Sequence, residues 1–353
     1  MRVTVQTLCL LLAPLLAGGC DSLVAYDFVK APNHDWPTRG IDAPADVLAQ
    51  HYVAKQLRIA VGPPAATLSV WVINPLEGHG TVSITQGRFS GDAVVSLNVS
   101  PSAHDDPPAP PRGTIFLLSG RGDSKEDPPY ELYSLALAGE GYRVILVDQR
   151  GHGRSTGDLI SYGAHESHDM VQVLDALEKQ GLIYGEVGVL GISYGASVGI
   201  CWAAIDPRIH GVVALEPFSS IRDASADAGP QFLGVGRWFY SSKDYADITM
   251  RIGQLAGFDP DRDSPLYAIA HTNTPVLIIH GLSDDFLRPA HSIRLHAADP
   301  DHSRLILIAG ANHFDLWLVA LRTIMQQSDE WFARYLTTTV SISEPTTRPV
   351  KIN

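Results

Sequence analysis

Apolar residues along this chain follow two different patterns. Between residues 57 and 73 they largely alternate with smaller or polar ones. Leu57-Arg58-Ile59-Ala60-Val61 and Leu68-Ser69-Val70-Trp71-Val72-Ile73, separated by Gly62-Pro63-Pro64, predict a hairpin. Residues 81–99 predict a further pair of strands, and the stretch Pro107 to Pro111 a surface connection. Beyond it come short unbroken apolar runs: Thr114 to Leu118, Tyr142 to Val147, Val187 to Leu190, Gly211 to Leu215, Val276 to Ile279 and Leu305 to Ile308. Such runs fit strands buried on both faces. Their alternation with helices at Glu131–Ala138, Glu166–Lys179, Tyr194–Ala204 and Leu316–Leu336 implies right-handed crossovers and a parallel sheet. The expected fold class is α/β.

The two ends read differently. Arg2 precedes a ten-residue apolar run, Leu8 to Ala17, too short to span about 30 Å of hydrocarbon, so residues 1–19 read as a cleaved signal segment. Leu15-Leu16-Ala17-Gly18-Gly19-Cys20 resembles the lipobox of bacterial lipoproteins, with Ala17 where leucine is commoner. That resemblance implies a lipidated Cys20 holding the protein at a membrane. Asp21 resembles a signal for retention at the inner membrane, on its periplasmic face. The competing reading is an ordinary secretory signal with Cys20 incidental. Residues 20–49 carry Pro32, Pro37 and Pro44 without a sustained period and predict a tether. The folded domain is expected over residues 50–336, and the polar tail from Thr337 to Asn353 is expected to be flexible.

With 353 residues, 45% of them hydrophobic and 18% charged, the composition is that of a globular protein. The net charge of −12 would repel nucleic-acid phosphates, which excludes that class of partner. Cys9, Cys20 and Cys201 are too few and too scattered for a disulfide framework or a zinc site. The glycine-rich segments fit neither a Walker loop nor a dinucleotide fingerprint, so no cofactor or metal is expected.

The pattern G-x-S-x-G occurs twice, at Gly191-Ile192-Ser193-Tyr194-Gly195 and at Gly153-Arg154-Ser155-Thr156-Gly157. A nucleophile elbow needs a buried strand before the serine and a helix directly after it. Only Ser193 has both, with Val187 to Leu190 before it and an apolar, small-residue helix after it; Ser155 sits in loop sequence.

The ordered set Asp148-Gln149-Arg150-Gly151-His152-Gly153-Arg154-Ser155, Tyr162-Gly163 with Glu166 and Asp169, the Ser193 elbow, His280-Gly281 with Asp284, and Gly310-Ala311-Asn312-His313 resembles the α/β-hydrolase superfamily. The resemblance is strongest to its serine-aminopeptidase-like and carboxylesterase-like members. It implies a mostly parallel sheet flanked by helices, with a helical lid over residues 217–271.

A serine hydroxyl needs a positioned base, itself held by a carboxylate. His313, in the loop after the last strand, is the candidate base. For the acid, Asp284 follows the strand Val276 to Ile279, and the resemblance points to it; Asp285 and Glu216 are its rivals. The oxyanion hole is expected from the backbone N–H groups of Tyr194 and of Arg121, in Ser119-Gly120-Arg121-Gly122, where relatives usually carry His-Gly. The lid segment holds Phe218, Phe232, Trp238, Phe239, Tyr240, Tyr245 and Phe258, which could line an acyl pocket. Its Asp223, Asp227, Asp244 and Asp247 could bind a substrate's free amine. The sequence thus predicts a serine hydrolase of small-molecule esters, with an aminopeptidase-like enzyme and a non-catalytic binding protein as the alternatives.

Overall fold

A computed structural model describes residues 17–34, 51–76, 81–89, 92–100, 110–233 and 240–336. Helix α1 (Ala17–Val29) precedes the hairpin β1 (Val53–Val61) and β2 (Ala66–Ile73) and a separate pair, β3 (Thr81–Phe89) with β4 (Asp92–Ser100). The alternating part follows: β5 (Thr114–Leu118), α2 (Pro128–Gly139), β6 (Arg143–Asp148), α3 (Ala164–Glu178), β7 (Val187–Ile192), α4 (Tyr194–Ile205) and β8 (Ile209–Leu215). The lid contributes α5 (Ile221–Leu233), α6 (Ser242–Ala256) and α7 (Pro265–Ile269). The chain then forms β9 (Val276–Gly281), α8 (Ala290–Ala298), β10 (Ser303–Ile308), α9 (Leu316–Val319) and α10 (Leu321–Tyr335).

Eight strands make one sheet in the order β1-β2-β6-β5-β7-β8-β9-β10. The β1–β2 and β2–β6 pairs are antiparallel, and every pair from β6 to β10 is parallel. From β5 to β9 the apolar runs are unbroken because both faces are covered, whereas β10, the edge strand, has no buried residue and leaves Leu307 exposed, so its run Leu305 to Ile308 is not the doubly buried strand its pattern predicts. Phe116, Ile145, Val189, Val212 and Ile278 face a core closed by α3 and α4, while Ile115, Leu146, Leu190, Val213 and Leu277 face one closed by α2 and α10. From β5 the chain steps to β6 on one side and later to β7 on the other. Strand order reverses there, and the carboxyl ends of β5 and β7 border the crevice that such a reversal opens.

Besides the exposed edge strand β10, the structure corrects the sequence reading in two further places. Apolar spacing predicts one helix over 316–336, but Ala320, with φ −115°, interrupts it, so that Leu316 and Leu321 both reach the core. The predicted tether over 20–49 is folded in its first part. α1 packs against α6, and Ala25, Phe28, Val29 and Ala31 are buried. The Ala31 N–H donates to Asp158 O (2.9 Å), the Asn33 N–H donates to Gly151 O (3.0 Å), and Lys30 bridges to Leu159. This stretch adds its backbone and apolar side chains to the loop that follows β6, more than a hundred residues away, so its order has no local signature. Tether residues 35–49, residues 1–16 of the signal segment, residues 101–109 with the first part of the proline-rich connection, lid residues 234–239 and the tail 337–353 lie outside the described residues. Among the described residues no helix is long and apolar enough to cross a membrane.

Candidate active site

β7 ends in a turn that places Ser193 at φ +51° and ψ −108°, a conformation a serine adopts only where its surroundings hold it. Here the Ser193 N–H donates to Leu215 O (2.7 Å), and its carbonyl accepts from Ser197 N–H (3.1 Å). The flanking glycines are a matter of space. A Cβ on Gly191 would lie 2.3 Å from Gly195 O, and one on Gly195 would lie 2.3 Å from Leu118 O. The elbow therefore rests against the end of β5, and small residues make that approach possible.

From this turn the Ser193 hydroxyl reaches to 3.1 Å from His313 Nε2, and His313 Nδ1 lies 2.7 Å from Asp284 Oδ2. His313 comes from the loop after β10 and Asp284 from the loop after β9. A proton on Nδ1 donated to Asp284 leaves Nε2 free to accept from the hydroxyl. Such an arrangement can draw the proton off a serine while the carboxylate stabilises the resulting imidazolium.

Asp284 is a held carboxylate. Its Oδ1 accepts from the N–H groups of Phe286 (2.9 Å) and Leu287 (2.8 Å), and its Oδ2 accepts from His280 Nε2 (3.1 Å) as well as from His313. Burial opposes the charge, but the hydrogen bonds from His280, His313 and the backbone outweigh it and bring the carboxyl down to about 2. His280, fully buried, also accepts from the Ser292 hydroxyl (2.7 Å). Its bracing of Asp284 was missed in the sequence, where the available signal is a histidine inside an otherwise apolar buried strand.

The two rival acids are placed differently. Asp285 is exposed. Glu216, at the end of β8 with φ +52°, is buried with Oε2 at 3.8 Å from His313 Nδ1, beyond hydrogen-bond reach. Burial, and then the negative charge of Asp284, push its carboxyl up to about 10, so it is a neutral acid near pH 7. Glu216, Asp284 and His313 offer metal-ligand atoms within 4.8 Å of one another, but both ring nitrogens of His313 are engaged, by Ser193 and by Asp284.

Tyr194 opens α4, so its N–H has no acceptor within the helix and lies at the positive end of the helix dipole. The loop after β5 touches the elbow, since a Cβ on Gly195 would also meet Ser119 O at 2.7 Å. That loop is braced on three sides. Ser119 O accepts from Gln149 Nε2 (2.9 Å), and Gly120 N–H donates to the Tyr130 hydroxyl (2.7 Å), which donates to Asp123 (2.6 Å). The Arg121 guanidinium donates to the carbonyls of Asp27 (3.1 Å) and Phe28 (3.3 Å), at the end of α1. Ser155 is elsewhere and occupied: its buried hydroxyl donates to Asp148 O (2.6 Å) and accepts from Ser69 N–H (2.8 Å). Cys201 is buried, and its thiol is pushed far above the ordinary range by desolvation.

A family model described as alpha/beta hydrolase fold matches residues 113–274. An esterase of Pyrococcus furiosus, Pf2001, superimposes with a TM-score of 0.60 at 19% identity, covering 84% of this chain and 96% of that one. This chain has the α/β-hydrolase fold. An acylaminoacyl peptidase of Pyrococcus horikoshii shares that fold with a TM-score of 0.52 at 16% identity, over 80% of this chain and 42% of the other. An uncharacterised Bacillus subtilis protein, YqkD, is 26% identical over 175 residues, 49% of this chain and 56% of its own, so this chain spans little more than half of that relative. The family match and these neighbours agree on the fold. Within the α/β-hydrolase fold, Ser193, Asp284 and His313 sit beyond the carboxyl ends of β7, β9 and β10, at one rim of the sheet.

Proposed function

We propose that this protein hydrolyses carboxylic esters through an acyl-enzyme formed on Ser193. The observation that carries the proposal is the unbroken line of hydrogen bonds from the Ser193 hydroxyl to His313 (3.1 Å) and from His313 to Asp284 (2.7 Å). In acylation, Ser193 Oγ bonds to the substrate's carbonyl carbon while its proton passes to His313 Nε2. The oxyanion is received by the N–H groups of Tyr194 and Arg121, and the departing alkoxide takes the proton from Nε2 as its bond to carbon breaks. Water then repeats the sequence, losing a proton to Nε2 and returning it to Ser193 as the acid leaves. Asp284 stays ionised throughout.

The lid acids favour an ester over an N-terminal peptide substrate, because three of the four are held by partners within the protein. Asp223 accepts from the Ser219 and Ser220 hydroxyls and pairs with Arg294, and Asp227 pairs with Arg288 and His291. Asp244 caps α6 through Ser241, and Asp247 lies 3.7 Å from Lys243. Of this set only Asp247, in a solvated surface pair with Lys243, is not tied down by the fold. The enzyme would then sit in a bacterial envelope, anchored through an acylated Cys20 at the periplasmic face of the inner membrane. Incorporation of an alkyne-tagged fatty acid that is lost in Cys20→Ser supports the anchor, and incorporation unchanged by that substitution refutes it.

The decisive test for the chemistry is labelling by a serine-directed fluorophosphonate together with hydrolysis of a panel of acyl esters and aminoacyl anilides. Ser193→Ala should lose both the label and turnover, while Ser155→Ala keeps the label at Ser193. Faster turnover of anilides than of esters would install the peptidase reading, and absence of any label would favour a binding protein.

A further inference from the structure

Three aromatic rings stand together at the base. The Phe286 ring centroid is 4.9 Å from that of His313, Phe314 is 5.3 Å from His313, and the two phenyl rings are 5.3 Å apart. Phe314 is 70% exposed, more than any other large apolar side chain among the described residues. Its backbone is fixed. The Phe314 N–H donates to Asn312 Oδ1 (2.9 Å), and its carbonyl accepts from Trp317 Nε1–H (3.0 Å). Asn312 is held in turn, its N–H and side-chain amide donating to Asp315 at 2.8 and 2.6 Å. The loop thus holds a phenyl ring out in solvent beside the catalytic imidazole, where leaving it uncovered forfeits the free energy of burying its apolar surface.

The proposed reaction decides what passes this ring. His313 Nε2 must come within about 3 Å of the departing oxygen to protonate it. The group attached to that oxygen therefore leaves past the imidazole, whereas the acyl group stays bonded to Ser193. We infer that Phe314, with Phe286, forms the leaving-group subsite and selects esters of alcohols that carry an apolar, best an aromatic, group a short chain away from the oxygen. Phe314 is thus a specificity residue. A flat ring there can be covered by a second one in offset or edge-on contact.

This inference rests on the acyl-enzyme reading, and the test separates the two. The substrates are ethyl acetate, 2-phenylethyl acetate and ethyl 3-phenylpropanoate. The first two release alcohols of similar acidity, and the third moves the phenyl group to the acyl side. The expected result is a lower KM for 2-phenylethyl acetate than for ethyl acetate. In Phe314→Ala this KM ratio should shrink roughly tenfold, the factor equivalent to about 1.4 kcal/mol, and in Phe314→Trp it should be kept. The preference for ethyl 3-phenylpropanoate over ethyl acetate should not move in either variant. Fluorophosphonate labelling of Ser193 in every variant shows that each is folded and carries an active nucleophile. If labelling succeeds but the 2-phenylethyl ratio is flat in the unaltered protein, or survives Phe314→Ala, the subsite is refuted while the hydrolase stands. The same holds if it is the acyl-side preference that falls. If neither label nor turnover is seen, the acyl-enzyme reading fails and takes the subsite with it.

Discussion

Replacing Glu216 by Gln removes a titratable proton from beside His313 while keeping the shape of the side chain. The Glu216 carboxyl, buried at the end of β8, is raised from an ordinary 4.5 to about 10 by desolvation and by Asp284. Between those two values the unfolded chain has released this proton and the folded chain still holds it. Stability is therefore full below about pH 4.5 and is lost as pH rises towards about 10. Each pH unit in that window costs about 1.36 kcal/mol, so moving from about pH 5 to about pH 8 removes at most about 4 kcal/mol. Glu216→Gln escapes this loss. Urea unfolding of both proteins at the two pH values measures it: the variant should overtake the original chain by several kcal/mol at the higher pH. Parallel stabilities at the two pH values, or an original chain that gains on the variant as pH rises, would refute a neutral buried Glu216. Turnover of the variant should stay close to that of the original, because the 3.8 Å gap to His313 carries no hydrogen bond.

His280→Ala removes a donor from Asp284, and a hydrogen bond to a charged group contributes roughly 1.5–3 kcal/mol, so kcat should fall between about tenfold and a hundredfold with KM little changed. Steady-state kinetics on a short-chain ester checks this, and an unchanged kcat would show that the backbone N–H groups suffice to hold the carboxylate. A chain begun at residue 35 lacks the buried Phe28 and Val29; at about 1.5–3 kcal/mol for each large apolar side chain it should lose roughly 3–6 kcal/mol of stability in urea. Its kcat should fall as well, because Arg121 loses both of its carbonyl acceptors on α1. Unaltered stability in that chain would mean that α1 is only loosely seated.

The inner parallel strands, β5 to β9, are legible in the sequence because burial on both faces leaves no polar residue to break the run, as in Val276 to Ile279. Ser193 is separable from Ser155 because an elbow needs strand and helix in immediate succession, a local property. What stays hidden depends on distant partners. α1 owes its order to Gly151, Asp158 and Leu159 and to the lid helix α6, none of them near it in the chain. The hold of His280 on Asp284 is fixed by a turn that also brings Leu287 O to 2.8 Å from its Nε2, and no spacing rule foretells that. Likewise the choice between Asp284 and Glu216 turns on one ångström: 2.7 against 3.8 Å from the same nitrogen.

The seating of α1 also bears on how the molecule would sit at a bilayer. A lipid on Cys20 would be separated by only five residues from Ala25, the first fully buried side chain among the described residues, or about 7.5 Å along a helix at about 1.5 Å per residue. That is a mooring, not a leash. The body could neither drift far from the surface nor turn freely about its attachment, and since α1 ends on the loop beside the serine, the mouth of the enzyme would keep one heading toward the headgroups, meeting substrates that arrive along the membrane plane on the same side each time.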